Sequence, residues 1–161
     1  MLSICRYSAL FLAVLSTIYS DPLDHYWQQK VDYEMDITLH DSIRQLSGKT
    51  IIKYTNNSPD SLDRLYMHLY PNAFQVGSVK YREYISFSGR TTRAKYFKDQ
   101  LDGFTSKIEI HDFDVAMPDQ NTSWIHKTPV LKSYKISDSI LEAELSKKLG
   151  PNEKVRIDIT W

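Results

Sequence analysis

The chain has 161 residues, with 20 Lys and Arg against 20 Asp and Glu, 42% hydrophobic and 25% charged side chains. That composition describes one ordinary soluble domain and excludes collagen-like and strongly disordered chains. Zero formal charge offers no broad attraction to phosphates or anionic lipid, and the basic residues are scattered among acids, so no nucleic-acid partner is expected.

At the N-terminus Arg6 precedes the apolar run Tyr7–Leu15, and no acid occurs before Asp21. This is the layout of a signal peptide, with small residues that allow cleavage after Ser16 or after Ser20. The apolar stretch is shorter than the ~20 residues that span a bilayer, so no transmembrane span is expected. The alternative is a buried N-terminal helix, but such a helix should carry a polar face at helical spacing, and this segment has none. Cys5 lies inside the segment and is the only cysteine, so removal leaves a thiol-free chain that can enter an oxidising compartment and cannot form an internal disulfide. The expectation is therefore export, to a periplasmic, cell-surface or secreted destination, with residues 1–20 as signal and 21–161 as the mature domain.

From Val31 to His40 apolar and polar residues alternate completely, which predicts a half-buried strand. Leu46, Gly48, Thr50, Ile52 and Tyr54 repeat the period until Asn56-Asn57-Ser58-Pro59-Asp60 stops it, so the two runs read as an antiparallel pair. Leu65, Met67 and Leu69 alternate with Tyr66, His68 and Tyr70 in a third strand, ended by Pro71-Asn72. From Ala73 to Thr105 the period is lost, and the mixed composition predicts a long excursion with one or two short helices, near Val79–Ser86 and Thr92–Leu101. Strand character returns at Lys107–Val115, which Met117-Pro118-Asp119-Gln120-Asn121 closes, and again at Ser139–Leu145 and Val155–Trp161, joined by the turn Lys147–Glu153. The whole reads as mainly β: a saddle-like antiparallel sheet or sandwich with one helical excursion. Val155, Ile157, Ile159 and Trp161 keep full amphipathic amplitude to the last residue, which suggests truncation at the C-terminus; the other reading is a final strand tucked into the sheet.

The search for chemistry is mostly negative. A helical zinc site would want His-Glu-x-x-His, because residues four apart share a face and the intervening Glu can act as base. None of His25, His40, His68, His111 and His126 is followed by Glu or lies within five residues of another. His68 and His111 read as packed or solvated strand residues. Asp112 and Asp114 would point the same way from a strand and could pair, but solvated edge residues are the simpler reading. Asp99–Gly103 has too few oxygen ligands for a calcium loop, and the five glycines make no phosphate cradle. There is no serine nucleophile elbow, and loss of Cys5 removes a cysteine nucleophile. Tyr33, Tyr54 and Tyr70 fall where a core face or sheet edge expects them, leaving His25-Tyr26-Trp27 and Ser123-Trp124 as the aromatics that could stack on a sugar. Asn56-Asn57-Ser58 and Asn121-Thr122-Ser123 match the glycosylation acceptor pattern. No catalytic, cofactor-binding or metal residue is assigned.

Several motifs in fixed order carry a resemblance: Tyr26-Trp27-Gln28-Gln29-Lys30-Val31-Asp32-Tyr33, Leu46-Ser47-Gly48, Tyr54-Thr55-Asn56-Asn57-Ser58-Pro59-Asp60, Leu69-Tyr70-Pro71-Asn72-Ala73-Phe74 and Leu149-Gly150-Pro151-Asn152-Glu153. Together they resemble the N-terminal domain of exported bacterial zinc metallopeptidases of the aminopeptidase N and leukotriene A hydrolase family, from about His25 to Trp161. The resemblance implies a saddle-shaped, non-catalytic β domain that packs on a thermolysin-like catalytic domain and walls the cleft for a peptide substrate. The family's zinc motif, downstream Glu ligand, Gly-x-Met-Glu-Asn element and catalytic Tyr have no counterpart here: Met35, Met67 and Met117 are followed by Asp, His and Pro. Zinc is thus implied only for a hydrolase domain outside this chain, and the chain by itself is expected to be inactive. A reading of another class is a free-standing exported β-sandwich that binds carbohydrate or protein through Trp27 or Trp124.

Overall fold

The structure, a computed structural model, describes residues 26–87, 106–119 and 123–161. Among these are eight strands, β1 (Lys30–His40), β2 (Gln45–Thr55), β3 (Leu62–His68), β4 (Asp112–Asp119), β5 (Ser123–Pro129), β6 (Leu131–Ser137), β7 (Ile140–Leu149) and β8 (Lys154–Thr160), and one α-helix, α1 (Val79–Phe87). They form two antiparallel sheets, one of five strands in the order β1-β2-β8-β4-β5 and one of three in the order β3-β7-β6. The expected antiparallel sandwich is observed.

Cross-strand register puts the alternating residues of β1, β2, β8 and β4 in rows on one inner face. One row is Tyr33, Ile52, Ile157 and Val115; the next is Met35, Thr50, Ile159 and Phe113. Leu141, Ala143 and Leu145 of β7 pack onto them from the other sheet, with Leu65 and Met67 of β3 beside these. The chain passes between sheets at Val130, whose N–H donates to Val115 O at 2.8 Å while its carbonyl accepts from Ser146 N–H at 2.8 Å. That corner closes the sandwich at its β5/β6 side.

The opposite side stays open, because three strands cannot cover five. Exposure along a row measures this: Ile157 on β8 is 5% exposed and Ile52 on β2 also 5%, but Tyr33 on β1 is 60% exposed. β1 is exposed along its whole length. The half-buried strand expected from its alternation is therefore corrected: the period is real, but the three-stranded sheet stops at β3, and among the described residues nothing covers the apolar face of β1.

Three further expectations are corrected. Lys107–His111 is not strand, and β4 begins at Asp112, although Ile108 and Ile110 still pack on the core. β4 also runs through Met117-Pro118-Asp119, which was expected to end it; Pro118 is tolerated because the β8 ladder has already finished at Ala116. Finally, β7 extends to Leu149, so Lys147 and Lys148 are strand residues and the turn is Gly150–Glu153. β5 and β6, which sequence periodicity did not signal, are the outer strands of their sheets. The excursion helix expected at Val79–Ser86 is α1, where Ser78 Oγ accepts from Tyr81 N–H at 3.0 Å and caps the first turn. The second expected helix, Thr92–Leu101, lies outside the described residues.

Trp161 ends the inner face beside Gly48. Their backbones exchange hydrogen bonds of 2.8 and 3.0 Å, and the indole N–H donates to Thr50 Oγ1 at 2.9 Å. A Cβ at position 48 would sit 2.8 Å from the indole and 2.9 Å from Asp36 O, so only glycine lets the ring lie there.

Candidate functional site

The open side of the sandwich is a groove of about 830 Å³. One wall is the inner face of β1 and β2, with Val31, Tyr33, Met35, Ile52 and Tyr54; the other is the β3 segment from Ser61 to Tyr70. Phe113, Leu141, Ile157 and Ile159 form its floor, and Ile108, Ile110 and Trp161 also line it. Desolvation in this groove raises the Tyr54 hydroxyl above its ordinary pKa. The β1–β2 wall bears no charge; Asp63, Arg64 and His68 belong to the β3 side, where Arg64 is paired with Glu142 at 3.0 Å, so the groove offers chiefly apolar contact and tyrosine hydroxyls.

The residues weighed from sequence are dispersed. His68 stands on the outer face of β3, stacked on Tyr70 with ring centroids 5.2 Å apart. His40 is exposed and hydrogen-bonds Ser47 Oγ at 2.8 Å across the β1–β2 hairpin. His111 and His126 are exposed on other elements, and His25 lies outside the described residues. Asp112 and Asp114 do lie on one strand, yet the carboxylate opposite Asp114 is Asp158 of β8, and Lys127 Nζ sits between them at 3.8 and 2.9 Å. Burial alone would raise the Asp158 carboxyl; its hydrogen bonds from Arg156 and Lys127 outweigh that and hold it below the ordinary carboxylate range. The place that a cation could take is filled by a lysine. Among the described residues no group of three or more His, Cys, Asp or Glu side chains could hold a metal ion. Asp99–Gly103 lies outside the described residues. Of the candidate sugar-stacking aromatics, Tyr26 and Trp27 are exposed at the start of the described chain, and Trp124 is half-buried on β5.

The motif residues that carry the resemblance come together as buried polar ties. Asn56 is 0% exposed: its amide donates to the carbonyls of Asp60, Leu149 and Gly150 at 2.8, 3.0 and 3.2 Å, while its Oδ1 accepts from Ser58 N–H, Ser58 Oγ and Gln29 Nε2. Its backbone also exchanges hydrogen bonds with Glu153 and Asn152. Thus Gln29, the Asn56–Asp60 turn and the Leu149–Glu153 turn, distant in sequence, form one cluster. Asn72 does the same at the other end of the β3–β7 ladder, accepting from Ile108 N–H at 2.7 Å and donating to Asp138 O. Sequence reasoning noticed these segments as motifs but missed the role of each residue; the signal was an asparagine placed where a strand stops, where its amide can satisfy backbone that no ladder reaches.

No known protein family, curated protein or solved structure matches the chain. No helix among the described residues is long and apolar enough to cross a membrane. What the described residues supply is an apolar groove, an uncovered hairpin and a polar frame that fixes both.

Proposed function

We propose that this chain is the non-catalytic N-terminal β domain of an exported zinc metallo-aminopeptidase-like protein, shaping the peptide cleft and supporting a following catalytic domain. The observation that carries the reading is the β1–β2 hairpin. Beyond the end of the β8 ladder it presents Ile37, Leu39, Ile43 and Leu46, all about half exposed or more, as a contiguous apolar arm. Such an arm costs free energy in water and fits a role of docking onto another domain of the same protein. The motif order quoted above supports the identity of that domain, and the signal-like N-terminus supports export. In the complete protein the zinc would polarise the scissile carbonyl and activate water; this domain contributes walls and support.

The deciding experiment is the intact mass of the native polypeptide that carries Asp21–Trp161. A mass several times 18.8 kDa, with His-Glu-x-x-His downstream, is the expected result. A mass slightly below 18.8 kDa would remove the reading. The purified 161-residue chain should release no amino acid from peptide substrates.

A second reading, a free-standing exported module for carbohydrate or protein, is favoured by the exposed rings of Trp27, Tyr66 and Tyr70. Loss of glycan binding in Trp27→Ala with the fold intact would support it, and a glycan screen without binding would count against it.

A further inference from the structure

Helix α1 is joined to the groove through the β6–β7 turn. Ile108, which lines the groove together with Ile110, donates its N–H to Asn72 Oδ1 at 2.7 Å. Asn72 is 4% exposed and belongs to the 3-10 helix Tyr70–Phe74, just past the end of β3. Its amide donates to Asp138 O in the β6–β7 turn at 3.4 Å. The Asp138 carboxylate in turn accepts the N–H of Val79, the first residue of α1, at 3.2 Å. Ser78 closes the ring: buried before α1, it donates its hydroxyl to Ala73 O, within that 3-10 helix, at 2.6 Å.

The turn itself carries a cost that its side chain answers. Asp138 holds a left-handed backbone with φ 55°. Glycine adopts that conformation freely and is common in two-residue hairpin turns, whereas aspartate offsets the strain with a hydrogen bond that glycine cannot make. The next residue, Ser139, accepts the N–H of buried Leu69 at 2.8 Å, so the same turn also fixes the end of the β3 wall.

We propose that Asp138 is a positioning residue for the groove: its carboxylate holds the start of α1, its carbonyl holds Asn72, and through Asn72 the placement of α1 sets that of Ile108 and Ile110. The helix and this end of the groove then act as one coupled unit. Displacing α1 loosens Ile108, and whatever shifts Ile108 is felt at α1 by the same free energy, because coupling between two places is reciprocal. The carrier is contiguous, four hydrogen bonds of 2.6–3.4 Å, and Asn72 and Ser78 are buried where water does not replace a lost partner. This goes beyond walls and support, since it gives the groove a handle on a separate element. It concerns contacts within this chain and stands whether or not a catalytic domain follows.

The test is nuclear magnetic resonance of the full chain with three substitutions. Asp138→Gly keeps the left-handed backbone and removes the carboxylate. Val79→Pro removes the N–H donor at an exposed first helical position, where proline is well accepted. Each should speed amide exchange of Ile108 by about tenfold and shift the Ile108 and Ile110 methyl resonances, while exchange at Val155 and Ile157 stays at the parent rate. Asp138→Asn, which keeps both the backbone preference and an oxygen acceptor, should restore parent behaviour. If Asp138→Gly does not fold, Val79→Pro still decides. Ile108 exchange unmoved by Val79→Pro, equal acceleration at Val155 and Ile157, or Asp138→Asn behaving like Asp138→Gly would each overturn the proposal.

Discussion

Asn56 shows how much of the fold rests on single polar side chains. Three carbonyls and three donors, Ser58 N–H, Ser58 Oγ and Gln29 Nε2, depend on one carboxamide that has no contact with water. Asn56→Ala should cost about 2–4 kcal/mol in urea unfolding, because the partners stay buried without replacement. The neighbouring Asn57→Ala, exposed and with one side-chain bond to Gln28 O, should cost under about 1 kcal/mol. Asp158 offers a test of electrostatics at the same scale. Its folded carboxyl is held below the unfolded value of about 3.9, so its ionised form stabilises the fold. That contribution is complete above the unfolded pKa and disappears as pH falls through the folded one. Asp158→Asn should therefore lower the urea midpoint at pH 7, and the gap to the parent should narrow towards pH 2. A gap that stays constant with pH would assign the loss to packing.

The β1–β2 hairpin and the strands that flank it behave differently from the core elements. Ile37→Thr with Leu39→Thr should change unfolding free energy by under about 1 kcal/mol and reduce binding of a hydrophobic dye, since neither side chain is covered. Ile157→Thr, in the middle of the same sheet face, should cost several times as much. Sequence alternation located β1, β2, β3 and β8 because each has an apolar side, whether or not anything covers it. It could not tell Tyr33 from Ile157, since burial depends on how many strands the opposing sheet has. β5 and β6 escaped for a different reason: unlike the outer strands β1 and β3 they carry no unbroken alternation, and Leu131–Ser137 is exposed at every residue but the first. The groove was illegible because, among the described residues, it lies between the outer strands β1 and β3 of two different sheets, a juxtaposition that no alternation encodes. The motif segments were legible as punctuation, but only the fold reveals that Asn56 and Glu153 meet.

Across the whole molecule, the two sheets are held by pairings between distant parts of the chain. β8 lies between β2 and β4 in the larger sheet, joined to β2 from Lys49 to Thr55. A chain ending at Glu153 should therefore lack a native near-ultraviolet circular dichroism spectrum and be cut rapidly by protease, since the sheet loses its middle strand. A shortened chain that keeps cooperative unfolding would show that β1–β2 and β4–β5 can stand without it. The same arrangement sets an order in time. Until the seven-residue strand β8 has been synthesised, β2 has only β1 as a neighbour in the sheet and both keep their apolar sides in water. The five-stranded sheet cannot close until β8 is available, so the β1–β2 and β4–β5 pairs wait with apolar faces uncovered and are joined in one step when β8 enters between them.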